Sequence, residues 1–197
     1  LSFGTGGESG TYYAFGGVLA SFVSGKSDCK VTALTSGGSQ ANVEDLTNGN
    51  VQLAFVQSDV MNYAYNGQRL FDSPVTGFSV VAQLYQEQVQ IVTTNPDIKT
   101  VADLAGKKVS IGAAGSGVYF NAIDVLSAYD LKESDISAVY QSFGDSAESL
   151  KDGKIDAAFI VAGAPTTAIT DLATAGSVYL VSIDDEHMDT LLASSPY

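Results

Sequence analysis

Apolar residues recur along this chain at helical spacing in two places. Phe15, Val18, Leu19, Phe22 and Val23 stand at i, i+3, i+4, i+7 and i+8, and Tyr119, Ala122, Ile123 and Leu126 repeat the pattern. Both runs predict helices with one apolar face. Each is entered the same way. Phe3-Gly4-Thr5-Gly6-Gly7-Glu8-Ser9-Gly10-Thr11-Tyr12-Tyr13 and Ile111-Gly112-Ala113-Ala114-Gly115-Ser116-Gly117-Val118-Tyr119-Phe120 are both a short apolar strand, a Gly-rich turn with a Ser-Gly pair, and aromatics leading into the helix.

A second pair follows in the same order and at a similar offset. Leu46-Thr47-Asn48-Gly49-Asn50-Val51-Gln52-Leu53-Ala54-Phe55 resembles Leu150-Lys151-Asp152-Gly153-Lys154-Ile155-Asp156-Ala157-Ala158-Phe159. In each, a helix ends at a glycine suited to the left-handed conformation, and a buried strand begins. Between the repeats lie two extended runs, Phe78–Tyr85 and Gln88–Thr94. The second alternates polar and apolar positions as a half-buried strand does.

Strands alternating with helices predict parallel sheets covered by helices. The expected architecture is α/β and two-lobed. A first lobe spans 1–84 and a second 85–183, with crossing strands near 78–94 and a hinge near Tyr85 and Val92. A helix at 184–197 leads back towards the first lobe.

In open parallel sheets, ligands sit beyond the carboxyl ends of the strands, where turns lead into helices. A Gly-rich turn at a helix start exposes backbone N–H groups at the positive end of the helix dipole and binds anions without a cationic side chain. The candidate ligand contacts are therefore Gly7, Ser9, Gly10, Tyr12 and Tyr13 in the first lobe, and Gly115, Ser116, Gly117, Val118 and Tyr119 in the second. Ser9 and Ser116 are placed to cap their helices or to bond the ligand. Tyr12 and Tyr119 also fall on the apolar stripes, whereas Tyr13 lies off its stripe and is the better cleft residue. A third small, polar turn precedes a helix at Thr35–Asn42, with Ser39 as the expected N-cap and Asn42 within reach of a ligand. Gln57 and Ser58 follow a strand end, and so does Gly163, before Pro165 in the first turn of a helix. The same turns also serve as plain βα connections in folds that bind nothing there.

Charge narrows the partners. With 9 basic and 22 acidic residues the chain carries −13, which argues against nucleic acid and anionic membrane surfaces. None of the nine basic residues lies in a Gly-rich turn, so backbone amides and hydroxyls must neutralise an anionic guest. A single Cys29 forms no internal disulfide, and one cysteine with one histidine offers no ordinary zinc site. No D-x-D-x-D-G calcium loop is present, so neither metal nor cofactor is expected. Val118 stands where a phosphate-binding loop needs lysine, and Gly37–Ala41 is a near miss to a nucleophile elbow. His187 sits in an acidic, helix-like stretch and reads as a surface residue. No nucleophile with a base is evident, and the expectation is binding without turnover. A ligand-free docking or sensor module is the alternative.

Together these segments resemble the TAXI-type solute receptors of tripartite ATP-independent periplasmic (TRAP) transporters. The resemblance rests on Thr5–Tyr13, Gly38-Ser39-Gln40-Ala41-Asn42, Ala102–Val109, Gly112–Gly117, Gly153–Phe159 and Ala162-Gly163-Ala164-Pro165, in that order. It implies a type II periplasmic-binding-protein-like fold that closes on glutamate, glutamine or a related dicarboxylate and delivers it to membrane permease subunits. It also implies export, either free in a periplasm or tethered as a lipoprotein. Family members often carry threonine where this chain has Val118, so one hydroxyl near the expected carboxylate grip is absent. They also continue into a C-terminal segment that returns to the first lobe, so the lobe as given is expected to expose apolar surface.

Overall fold

A computed structural model describes residues 1–195. The chain folds as two α/β units. One comprises Leu1–Gln86 with the turn Gly115–Gly117; the other comprises Glu87–Ala114 and Val118–Tyr197.

In the first unit, β1 (Ser2–Gly4), α1 (Thr11–Lys26), β2 (Thr32–Leu34), α2 (Ser39–Thr47), β3 (Leu53–Ala54) and α3 (Ser58–Asn66) alternate strictly. The strands form a parallel sheet in the order β2-β1-β3. Phe3, Val43, Val51, Phe55, Val60 and Tyr63 supply its core. Phe55 is the hub, with ring centroids 4.7 Å from Phe3, 5.0 Å from Tyr12 and 6.0 Å from Phe15. Helix α1 packs through its small residues, since Gly16 and Ala20 are buried. Its apolar stripe meets solvent, with Val18 67% and Phe22 62% exposed.

The second unit contains β4 (Gln88–Thr93), β5 (Lys108–Ser110), α4 (Val118–Ala128), β6 (Ser137–Val139), α5 (Phe143–Lys151), β7 (Ala157–Ala162), α6 (Thr167–Ala175), β8 (Tyr179–Leu180) and α7 (Asp185–Ser194). Its sheet runs β6-β5-β7-β4-β8, with β5 parallel to β6 and β7 and β4 antiparallel to β7 and β8. The β6-β5-β7 part repeats the first unit's order, and the connecting helices match in turn. The repeat extends to the expected glycines: Gly49 (φ 75°) and Gly153 (φ 66°) are both left-handed, and each donates its N–H to the leucine three residues back at 3.1 Å. Phe159, Ile111, Leu104, Leu126 and Phe120 are almost wholly buried.

Two expectations are corrected. Residues 78–85 form no strand, although 88–93 do. Val80 and Val81 are 64% and 84% exposed, and no described strand lies alongside to take their backbone groups. Val92 is fully buried and pairs with Ala158 on one side and Leu180 on the other. Pro165 precedes α6 and does not enter its first turn, since the N-cap is Thr166.

Helix α7 packs on α4 and adds Leu191 to the second unit's core. Pro196 and Tyr197, the end of the expected 184–197 helix, lie outside the described residues. At its start, Asp184 Oδ1 accepts the N–H of His187 at 3.1 Å and lies 2.7 Å from His187 Nδ1, while Tyr129 Oη donates to Oδ2 at 2.8 Å. The His187 ring stacks on Tyr129 at 3.7 Å, so this surface histidine is docked. Hydrogen bonds from His187 and Tyr129 hold the Asp184 carboxyl well below the usual carboxylate range. A depressed folded value stabilises above the unfolded value near ~4 and is lost as pH falls below it. Asp184→Asn is therefore expected to melt below the wild type at pH 7, with the gap closing as pH is lowered from about 4; a thermal-melt series against pH checks it.

Candidate functional site

The best-built polar cluster lies at the carboxyl ends of β1 and β3. Thr5 is fully buried, and its Oγ1 and N–H both donate to Leu34 O, at 2.6 and 3.0 Å. Asn42 is also fully buried. Its Nδ2 donates to Thr5 O and to Phe55 O, both at 2.7 Å, and so ties the ends of β1 and β3 together. Its Oδ1 lies against Gly4, where a Cβ would come within 2.8 Å. Asn42 thus supports the cluster from below.

Three helices start at this edge. The Gly7–Gly10 turn is closed by Gly10 N–H donating to Gly7 O at 3.0 Å, and Gly10, not Ser9, occupies the N-cap of α1. Gly7 is exposed and Ser9 half-buried. At α2 the N-cap is Gly38, in the left-handed region at φ 116°, and not Ser39 as expected. Ser39, 1% exposed, instead turns its hydroxyl to the β3–α3 turn. Its Oγ accepts the Gln57 N–H at 3.0 Å and lies 3.4 Å from Gln57 Oε1 and 3.5 Å from Tyr12 Oη. Gln57 caps α3, and Ser58 beside it is exposed.

The Gly115–Gly117 turn belongs to this unit. Gly115 O accepts the N–H of Ala41 in the first turn of α2 at 3.0 Å. Ser116 is 6% exposed, and its Oγ is buried with no hydrogen-bond partner among the described residues. So Tyr12, Ser39, Gln57 and the Gly115–Gly117 turn come together. Among the described residues no lysine or arginine joins them: Lys30 bonds Ser24 O, and Arg69 stacks over Tyr63.

The other named residues lie elsewhere. Tyr13 lines a surface groove with Val18, Phe22 and Thr32, while Tyr12 reaches the cluster. Val118 is buried in the second unit's core. Tyr119 donates to Glu133 Oε2 at 3.1 Å. Gly163 O accepts from Thr166 Oγ1 at 2.9 Å, beside the cis Ala164–Pro165 peptide.

In the second unit, a cavity of about 530 Å³ opens where β5 and β6 end, lined by Ala113, Tyr140, Gln141, Ser142, Asp145 and Glu148, among others. The sequence reading passed over it. Its signal was Ser142-Phe143-Gly144-Asp145, a helix-start motif in which Ser142 accepts the Asp145 N–H at 3.2 Å. At its rim, the hydrogen bond from Tyr140 to Glu133 pushes the Tyr140 hydroxyl up to about 12. A raised folded value stabilises below the ordinary tyrosine value near ~10 and is lost as pH rises towards 12. Tyr140→Phe is therefore expected to be less stable than wild type at pH 9 and to converge on it by pH 12, read by denaturant midpoints.

The fold is that of type II periplasmic-binding-protein-like structures. The chain belongs to the NMT1-like family, whose profile matches residues 3–197. Similar solved structures include the alkanesulfonate-binding protein SsuA from Xanthomonas axonopodis pv. citri bound to MOPS, with TM-score 0.61 and 20% identity over 92% of this chain and 60% of that one. An ancestral arginine-binding protein bound to arginine gives 0.62 and 18%, over 92% and 78%. A putative L-cystine ABC transporter protein from Listeria monocytogenes gives 0.61 and 18%, over 98% and 89%. The chain spans about three fifths of the length of the sulfonate-binding proteins it matches. Among the described residues no helix is long and apolar enough to cross a membrane.

Proposed function

We propose that the protein is an extracytoplasmic solute-binding receptor that closes two lobes on a small carboxylate such as glutamate, glutamine or a related dicarboxylate. It presents the ligand to the permease of a TAXI-type TRAP transporter, acting by binding and not by turnover. The observation that carries this reading is the cluster at the ends of β1 and β3. Glycine turns, helix starts and the hydroxyls of Tyr12 and Ser39 converge there, with no cationic side chain among the described residues beside them. Such a site holds a carboxylate through N–H and O–H donors. None of these residues pairs a nucleophile with a base. Relatives with this fold bind sulfonates and amino acids, which supports a small polar guest.

A second reading keeps the receptor and exchanges the permease for an ABC-type importer, as the Listeria monocytogenes relative suggests. Uptake assays in cells expressing either permease separate the two. The receptor reading itself is tested by mass spectrometry of molecules that co-purify, followed by thermal shift with amino acids, dicarboxylates and alkanesulfonates. A ligand at 100 times its Kd adds about 2.7 kcal/mol of stability. A flat response across that panel would sink the receptor and leave a docking module.

A further inference from the structure

Ser116 is 6% exposed, and its Oγ has no hydrogen-bond partner among the described residues. The other four buried serines among those residues are all bonded. Ser39 Oγ accepts the Gln57 N–H at 3.0 Å, Ser110 and Ser146 share a hydrogen bond of 2.8 Å, and Ser149 accepts from Gln141 Nε2 at 3.1 Å. A serine at a helix start ordinarily accepts an N–H of the first turn. Ser116 stands just before α4 and caps nothing there. A buried hydroxyl without a partner destabilises a fold, so one that is retained calls for a reason. Its surroundings hold it firmly. Gly115 O accepts the Ala41 N–H at 3.0 Å and so anchors the turn to the start of α2, where the N-cap Gly38 offers no side-chain cap. The approach is close enough to need glycine. A Cβ on Gly38 would lie 3.2 Å from Ser116 Cα, and one on Gly117 would lie 3.1 Å from Ser39 Oγ. The unpaired hydroxyl is thus fixed against a helix start, in the turn that joins the polar cluster.

We infer that Ser116 is a specificity-determining residue of the site, its hydroxyl held unpaired in order to donate to an anionic oxygen of the ligand, whether carboxylate or sulfonate. This rests on the receptor reading. Of the two roles open to a serine at this place, capping its helix or bonding a guest, capping is unused. The start of α2 supplies positive potential beside the hydroxyl, so both favour an anion. Burial keeps competing water from weakening the bond. The arrangement exchanges stability for binding, as sites often do. The ligand-free protein carries the unpaired hydroxyl, and the ligand satisfies it.

Ser116→Ala, made in the full chain, should show two effects of opposite sign. Without ligand, the variant is expected to melt about 2 °C or more above wild type, because it deletes a buried hydroxyl that bonds nothing. In titrations with glutamate, succinate and a short alkanesulfonate, it is expected to bind the best wild-type ligand about tenfold more weakly. A hydroxyl that serves only the fold would not give both. A ligand-free Tm at or below that of wild type overturns the inference, and so does an unchanged affinity; either result leaves the receptor reading standing. If the wild type binds none of the panel, the receptor reading and the role of Ser116 fall together.

Discussion

Asn42→Leu should cost about 2–4 kcal/mol and lower the denaturant midpoint without changing its slope. The substitution nearly preserves volume but removes both donors from a buried amide. Phe55 O then loses the bond that Asn42 supplies, while Thr5 O keeps the Ser36 hydroxyl at 3.1 Å. A buried carbonyl left unpaired costs about 1–3 kcal/mol, and each lost hydrogen bond about 1. Part of this is offset, because Asn42 Oδ1 is itself buried without a hydrogen-bond partner among the described residues and leucine removes it. Asn42→Asp should be worse, since it brings a carboxylate against two carbonyl oxygens in a site with no exposure. Urea titrations followed by far-UV circular dichroism check both. A cost below half a kcal/mol for leucine would mean that β1 and β3 hold together without the amide.

Phe55→Ala should cost about 3–5 kcal/mol, the usual range for emptying a buried aromatic site. Its ring is 6% exposed and meets Phe3, Tyr12 and Phe15, so the cavity would open at the centre of the first unit's core. Phe159→Ala empties the matching position of the second unit, which is fully buried, and should cost a similar amount. The two should differ in binding. The Tyr12 ring stacks on Phe55 at an interplanar angle of 27°, so Phe55→Ala also removes one of the rings that position the hydroxyl beside Ser39. Phe159→Ala leaves that contact alone. Chemical denaturation measures the first effect, and titration of whichever ligand binds measures the second.

The duplicated plan was legible because it is written in backbone chemistry. Gly49 and Gly153 stop helices by taking positive φ, and both do so in the fold. The apolar runs at Val51–Phe55 and Ile155–Phe159 lead into strands as expected. What the sequence concealed depends on neighbours in space. Residues 78–85 have strand-like composition, yet a strand needs a partner for its N–H and C=O groups. Tyr12 and Tyr13 are adjacent in sequence but about 100° apart around a helix, so a small error in the entry angle of α1 decides which one reaches the cluster. Ser39 has the composition of an N-cap, but Gly38 takes that position at φ 116°. The serine hydroxyl is thereby released to the turn at Gln57, a partner 18 residues away. Val118 sits one residue past the glycine turn and points into the core, because α4 starts there.

The solvent-facing side of α1 sets two forces against each other. A net charge of −13 pushes copies of the chain apart, while Val18 and Phe22 offer a greasy strip on which copies can adhere. Repulsion acts over about 10 Å at 0.1 M salt and shrinks to about 3 Å at 1 M, whereas hydrophobic adhesion is strengthened by sulfate. The chain should therefore stay dispersed in dilute buffer and begin to cluster as ammonium sulfate is added. Light scattering should show that onset move to higher salt once Val18 and Phe22 are changed to serine.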